Sequence, residues 1–588
     1  MPRKSDYILL ISSLTLLTFV ALFIFRSADD NRLTNWQWVF QGISVSGIYL
    51  TLIAGVFISY FLSKIPSPEH YPALCLFILS FILAVPFWGV PEVIVDSSRY
   101  FTQAKHLEVY GIGYFLREWG QGISAWTDLP LIPFFYGLIF KVFGESRIFI
   151  QIFTTALFSL TAVLTYQTGK LLWDKNTGFY GGALILGIPY IFSQIPLMLV
   201  DIPVMFFLSL SIFTFANALD KGGAGRIIFS SLAIAAALLT KYSVWLMLTV
   251  LLVIFPVYLI KAFQPPSPSP PPVKGGGTGG DTPLLRGRIT PVPLPRRIGI
   301  EWRTILFRGI LILSVTALLI GVIFLYKSDV FLGQIRLLAG YQQPGLKRWG
   351  ESFTSTFLFQ IHPFITAAAV YSAYIAFKKK DLRYLIAIFL PALVVLLQIR
   401  RIRYVMIVFP MLALMASYGL QQVRDEQLRK FIVLCIIVSS ITVSAFAYLP
   451  FLQNTSAVNL KNAGKFINSL DIKKAEVFIK TDAESPVNQA VSVPVLDLFT
   501  AKKVSYYYAP GVTPQKDEIS KSPFRFTWEY KNPVYYTDNA PDGKTAAVVI
   551  SEDAGYQPEY AGKYRNYKVF RHSDGVFQHK TFVTVYYN

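Results

Sequence analysis

The chain has 588 residues, 53% of them hydrophobic and 15% charged, against roughly 25% charged in an ordinary soluble domain. Its apolar residues gather in runs of membrane-crossing length divided by short charged loops, which excludes a soluble enzyme, a disordered chain, a collagen and a single-pass receptor and leaves a polytopic membrane protein. The net charge of +20 is then first a matter of membrane topology, not of nucleic-acid binding.

A helix needs about 20 apolar residues to cross roughly 30 Å of hydrocarbon. In chain order this predicts spans near 7–25, 39–62, 72–90, 147–172, 178–195, 199–219, 226–240, 243–262, 305–326, 354–377, 384–399, 404–422 and 431–449, about 13 in all. Lys and Arg are retained on the cytoplasmic side in short loops. With a cytoplasmic N-terminus, Arg3, Lys4, Lys221, Arg226, Lys378, Lys379, Lys380, Arg383, Arg424, Arg429 and Lys430 all fall on that side. The Pro- and Gly-rich stretch 264–298 falls there too and reads as a disordered cytoplasmic linker, since its composition supports neither helix nor core. An odd number of spans places everything after residue 450 outside the cell. The first run lacks a small-residue cleavage site and reads as part of the bundle. Cys75 and Cys435 lie inside apolar runs, so neither offers a disulfide or a CxxC site.

Between the third and fourth expected spans, residues 89–146 form a long outer loop. Its stretch PLIPFFYGLIFKVF is apolar but too short to cross comfortably, and it reads as an interfacial helix, one of two amphipathic helices roofing a cavity. Asp96 and Asp128 lie in this loop and Asp201 lies at the outer end of a span. Ionisable groups at such depth are costly unless they face a cavity or a partner, so these acids are functional candidates, with helix caps or surface ion pairs as the plainer alternative. Lys241, Arg400, Arg401, Arg403 and Tyr404 sit at outer turns, against the positive-inside bias. A lipid phosphate is the natural anion for them, because Arg supplies paired hydrogen bonds and Lys a point charge.

Beyond residue 451 the long runs stop. A helix near 456–469 is followed by strand-like VFIK at 477, VSYYY at 504, AAVVI at 546 and a tail that reads as a closing hairpin, a soluble outer α/β domain. Its many Tyr and Phe are read first as core, with a sugar-stacking face or a lid as alternatives.

Five stretches in order, DSSRY at 96–100, DLPL at 128–131, VDIPVMFF at 200–207, LLTKYS at 238–243 and RYVMIVFPMLALMASYGL at 403–420, resemble the polyprenyl-phosphate-sugar-dependent glycosyltransferases of the GT-C fold. That clan includes the protein O-mannosyltransferases and the lipid A aminoarabinose transferases. The resemblance covers 72–449 as a GT-C-like catalytic region, leaving residues 1–71 as two extra N-terminal spans and 450–588 as the outer domain. It implies transfer of a sugar from a polyprenyl-phosphate donor to a hydroxyl or phosphate of an acceptor protein, lipid or glycan, with inversion, Asp96 as base and Asp128 and Asp201 orienting acceptor or sugar. Arg99, Tyr100, Lys241, Arg400, Arg403 and Tyr404 would hold the donor phosphate.

Two positions depart from the family pattern. Ser97 replaces the second acid of the first motif, which weakens a metal held by an acid pair, and Leu129 stands where a Lys or His is common. The pattern requires no cofactor and leaves a divalent metal as an option, with Asp128 and His362 as the pair to hold it. A lone histidine, however, is more often a packed residue. No nucleotide-binding glycine loop is present, and the expected location is the cell membrane of a bacterium or archaeon. The rival classes are a secondary transporter or lipid flippase, for which no internal repeat is found, and a membrane-anchored envelope assembly protein.

Overall fold

The computed structural model describes residues 3–26, 39–40, 43–66, 68, 70–263, 298–342, 351–453, 457–481, 485, 487–506, 525–528, 530, 533–537, 544–553, 555–574 and 579–588. The expected linker lies, but for its last residue, outside the described residues.

The helices in chain order are α1 (Lys4–Arg26), α2 (Val45–Lys64), α3 (Pro72–Ala84), α4 (Ile94–Glu118), α5 (Leu131–Phe143), α6 (Arg147–Leu172), α7 (Lys175–Leu184), α8 (Pro189–Gln194), α9 (Asp201–Lys221), α10 (Ala224–Leu238), α11 (Tyr242–Met247), α12 (Leu251–Phe263), α13 (Ile298–Tyr326) and α14 (Ser328–Leu337). They continue as α15 (Pro363–Lys379), α16 (Tyr384–Leu396), α17 (Ile402–Val405), α18 (Phe409–Leu420), α19 (Glu426–Val443), α20 (Val458–Ser469) and α21 (Ser492–Leu498). Among the described residues, nine helices are long and apolar enough to cross a membrane. The other four expected runs are helical but short or interrupted. The run at 178–195 breaks at Ile188, which is extended (φ −109°, ψ 105°) as the residue before Pro189, because a proline ring disfavours helix in its predecessor. The run at 354–377 breaks at His362 before Pro363 for the same reason, after a wide π-helical turn at Ser355–Ile361. The run expected from residue 39 becomes helix only at Val45, capped by the Ser44 hydroxyl, which accepts from the Gly47 amide. Of the two thiols, Cys435 is buried and Cys75 half-buried, and both are free.

The helix ends segregate by charge. At one end Lys4 bridges Asp425 at 2.8 Å, Lys430 donates to the Ile65 carbonyl, and Arg308 donates to the Leu219 carbonyl. At the other end, α4 and α5 pack against each other as a roof. Helix α4 is kinked at Gly111, whose φ of 86° suits a residue without Cβ.

Over the roof sits a five-stranded sheet, β1 (Lys474–Ile479), β2 (Lys503–Tyr506), β3 (Thr545–Ser551), β4 (Asn566–Asp574) and β5 (His579–Tyr587), in the order β2-β1-β3-β5-β4. Strands β2, β1 and β3 are parallel and β3, β5 and β4 antiparallel. The parallel β1–β2 pair needs a crossover, which runs through α21, and the tail is the expected hairpin. The domain core holds Leu460, Ile467, Val477, Val548, Ile550, Val583 and Val585, and Ile94, Val95 and Trp126 of the roof pack against it. The buried aromatics of this domain, Tyr506, Tyr530 and Tyr536, are largely core.

Backbone contact between α6 and α7 depends on two glycines: a Cβ on Gly178 would lie 2.3 Å from the Tyr166 carbonyl oxygen, and one on Gly169 would lie 2.6 Å from the Gly178 Cα. Replacing Gly178 by Leu should therefore cost about 1–3 kcal/mol of stability and lower the melting temperature in detergent. Gly321→Leu on α13, where nothing lies within 4 Å, is the control expected to melt near the wild type.

Candidate functional site

Asp201 opens α9 and is 4% exposed. The segment before it is held by two buried anchors. Tyr136 of α5 donates to the Leu199 carbonyl at 2.6 Å. Glu92, fully buried, accepts from Ser97 Oγ at 2.8 Å, from Arg147 Nε at 2.6 Å and from the Met198 amide at 3.0 Å. One carboxylate thereby joins the start of α4, the start of α6 and the loop into α9.

From Asp201 the charges alternate. Lys241 Nζ, at the turn before α11, reaches Asp201 Oδ1 at 2.7 Å, and Arg403 Nε, on α17, reaches Oδ2 at 2.6 Å. The other arm of Arg403 donates to Asp96 in the first turn of α4. Asp96 Oδ1 lies 3.6 Å from the Arg99 guanidinium one turn on. Arg99 in turn grips Asp128 with two donors, Nε at 3.0 Å from Oδ2 and Nη2 on Oδ1. Three acids and three cations thus form one chain, Lys241–Asp201–Arg403–Asp96–Arg99–Asp128. Buried charges persist only when paired and hydrogen-bonded, and here the formal charges cancel.

Gln103 donates to Asp128 Oδ2 at 3.2 Å and Gln334 of α14 donates to the Asp128 carbonyl at 3.0 Å. The Tyr404 ring lies 5.4 Å from Lys241 Nζ and its hydroxyl accepts from Arg401 at 3.4 Å. Arg99 lies 5.7 Å from the centre of the Tyr100 ring and 5.5 Å from that of Trp126. Burial favours a protonated Asp96, but Arg403 and then Arg99 outweigh it and hold the carboxyl well below the ordinary aspartate range.

Eight of the residues singled out in the sequence meet here: Asp96, Asp128, Asp201, Arg99, Tyr100, Lys241, Arg403 and Tyr404. Arg400 does not. It is exposed, donates to Gln398 at 3.1 Å and lies over Phe353, while its neighbour Arg401 turns towards Tyr404. His362 is engaged in other contacts. Its Nδ1 accepts the Phe364 amide at 3.2 Å as the cap of α15, and its Nε2 meets Ser439 Oγ at 3.0 Å. Among the described residues no group of three or more His, Cys, Asp and Glu could hold a metal ion. Sequence reasoning missed Glu92, Arg147 and Gln103 as site residues. Glu92 carried part of the same signal, a carboxylate in the apolar stretch VPEVIV.

A family model described as dolichyl-phosphate-mannose-protein mannosyltransferase matches residues 128–264, the segment that carries Asp128, Asp201 and Lys241. Among solved structures, ArnT from Cupriavidus metallidurans bound to undecaprenyl phosphate is similar with a TM-score of 0.50 and 11% identity, over 92% of this chain and 98% of that one. The fold is GT-C. The apo state of the same ArnT matches with a TM-score of 0.50 and 11% identity over 86% of this chain and 97% of that one. The oligosaccharyltransferase AglB from Archaeoglobus fulgidus, in complex with an inhibitory peptide and a dolichol-phosphate, has a TM-score of 0.45 and 12% identity over 82% of this chain and 70% of that one. No curated protein sequence matches the chain. The expected class, a helical GT-C membrane protein with a C-terminal α/β domain, is the observed one, and in this GT-C chain the charge network sits between the bundle and that domain.

Since the Asp96 carboxyl titrates below its unfolded value of about 3.9, its pairing stabilises the protein fully above that pH and is lost as the pH falls through the lower folded value. Asp96→Asn should melt below the wild type by a constant margin from about pH 7 to about pH 5, with the margin narrowing below about pH 4. Thermal melts across that range in detergent read this directly; a margin independent of pH down to about 3 would contradict the pairing.

Proposed function

We propose that the protein is a multi-pass membrane glycosyltransferase that moves a sugar from a polyprenyl-phosphate donor to an acceptor hydroxyl at the membrane face beneath its C-terminal domain. That face is the extracytoplasmic one, because the opposite helix ends carry the excess of Lys and Arg. The observation that carries the reading is the alternating chain of acids and cations, together with the GT-C fold and the mannosyltransferase family match to 128–264. The ArnT structure holds undecaprenyl phosphate, which supports a lipid phosphate as the anion here.

In this reading the donor phosphate displaces carboxylates from Arg403 and Lys241, with Arg99, Tyr100 and Tyr404 around it. Asp96 then takes the proton of the acceptor hydroxyl. The acceptor oxygen bonds to the anomeric carbon from the side opposite the phosphate, the carbon–oxygen bond to phosphate breaks, and polyprenyl phosphate departs with both electrons. The sugar is therefore delivered with inversion. Arg403 and Lys241 stabilise the charge that grows on the departing phosphate, the larger part of the work, and Asp96 supplies general base catalysis. Asp128 and Asp201 orient sugar and acceptor. Each step balances with side chains and substrates alone.

Purified protein in detergent should release labelled sugar from one of a set of polyprenyl-phosphate sugars, with water or a simple hydroxyl as acceptor. Asp96→Asn should abolish release while still binding donor; retained activity would remove Asp96 as the base. Arg403→Ala should raise the apparent donor Kd by about tenfold or more, since truncating one partner of a buried charge pair costs several kcal/mol, and an unchanged Kd would count against the phosphate contact. A folded wild type that neither binds nor cleaves any donor would favour a transporter or an assembly protein.

A further inference from the structure

Helix α4 presents two different faces. Asp96, Arg99 and Gln103, spaced i, i+3 and i+7, share the side turned to the charge network. The other side belongs to the C-terminal domain: Ile94 and Val95 pack into that domain's core, and the Thr102 carbonyl accepts from Tyr535 at 3.4 Å. At Lys105 this contact becomes ionic. Its ammonium bridges Asp497 of α21 at 2.5 Å and Glu145, in the turn between α5 and α6, at 2.9 Å. Asp497 is 3% exposed and also accepts from the Tyr536 hydroxyl at 2.7 Å. Burial works against the Lys105 ammonium, yet Asp497 and then Glu145 outweigh it, so the group stays charged above its ordinary range. Such a pair carries little net stability compared with apolar packing, but it is directional and specifies one register. Trp126, which shares the domain core, also lies beside Arg99, so the domain reaches the network from two sides.

We propose that Asp497 and Lys105 are positioning residues of the transferase: through this ion pair the C-terminal domain grips one face of α4 and thereby sets where Asp96, on the other face, stands relative to Arg403 and the reacting sugar. The proposal rests on the transfer reaction above and gives the domain a role in catalysis without contact with substrate. Arg403 and Lys241 belong to bundle elements that the grip does not touch, while Arg99 and Tyr100 share α4 with Asp96, so turnover falls further than donor binding.

The test uses the full-length protein in detergent, with undecaprenyl phosphate as the binding probe and the labelled donor identified above as substrate. Asp497→Asn and Lys105→Met should lower kcat about 10- to 100-fold, the loss expected when a reacting group is misplaced by about 1 Å, while the Kd for undecaprenyl phosphate rises by a clearly smaller factor. Asp497→Glu, which keeps the charge, should recover most of the loss. Wild-type kcat in Asp497→Asn would overturn the proposal, and so would kcat and Kd failing together without recovery in Asp497→Glu. A wild type silent on every donor refutes the transfer reading instead. The grip is then read by hydrogen exchange: amides of residues 94–105 should exchange faster in Asp497→Asn with α9 and α18 unchanged, and equal exchange in α4 would overturn it.

Discussion

The charge network at this end of the bundle is joined through Arg403. One guanidinium spans two carboxylates from helices that are distant in the chain, Asp201 at the start of α9 and Asp96 at the start of α4. With Lys241 beyond one acid and Arg99 with Asp128 beyond the other, the cost of burying charge is met by mutual pairing instead of by water. A chain of this kind has little tolerance for displacement, because moving one member leaves its neighbours unpaired in a medium of low dielectric. The rest of the architecture holds those members in place.

That architecture works through helix ends. Prolines at 189 and 363 break long apolar runs at chosen depths, and Glu92 ties three segments together where α9 begins. The roof helices then lie between the bundle and the α/β domain, with α4 held on both sides. In the proposed reaction a phosphate-bearing lipid approaching this end would meet cations already gathered by carboxylates, whose place on Arg403 and Lys241 it takes before the chemical step.

Much of this was legible in the sequence. The thirteen apolar runs each become helix, and the charge-rich turns gather at one end, because both properties are local: apolar length and loop composition do not need a partner to be expressed. Five short motifs in order also marked Asp96, Asp128, Asp201, Lys241 and Arg403. What the sequence left open was direction, not identity. Arg400 and Arg401 are adjacent and chemically alike, yet the backbone at this turn sends one to Gln398 outside the network and the other to Tyr404. His362, read from the sequence first as a packed residue and second as a metal partner of Asp128, has both ring nitrogens engaged, one by the helix it caps and the other by Ser439.

By itself, then, the sequence determined a polytopic membrane protein with an α/β domain at its C-terminus, the interfacial roof, and the set of ionisable residues from which a site could be built, since hydrophobic run length, turn chemistry and the cost of an isolated charge in a membrane are properties of segments. Only the tertiary structure decided which acid pairs with which cation. Lys241 and Asp201 are 40 residues apart, Arg403 and Asp96 are 307, and Lys105 and Asp497 are 392. Pairing at such separations is set by how helices pack and which faces they turn to one another, and no local pattern encodes it.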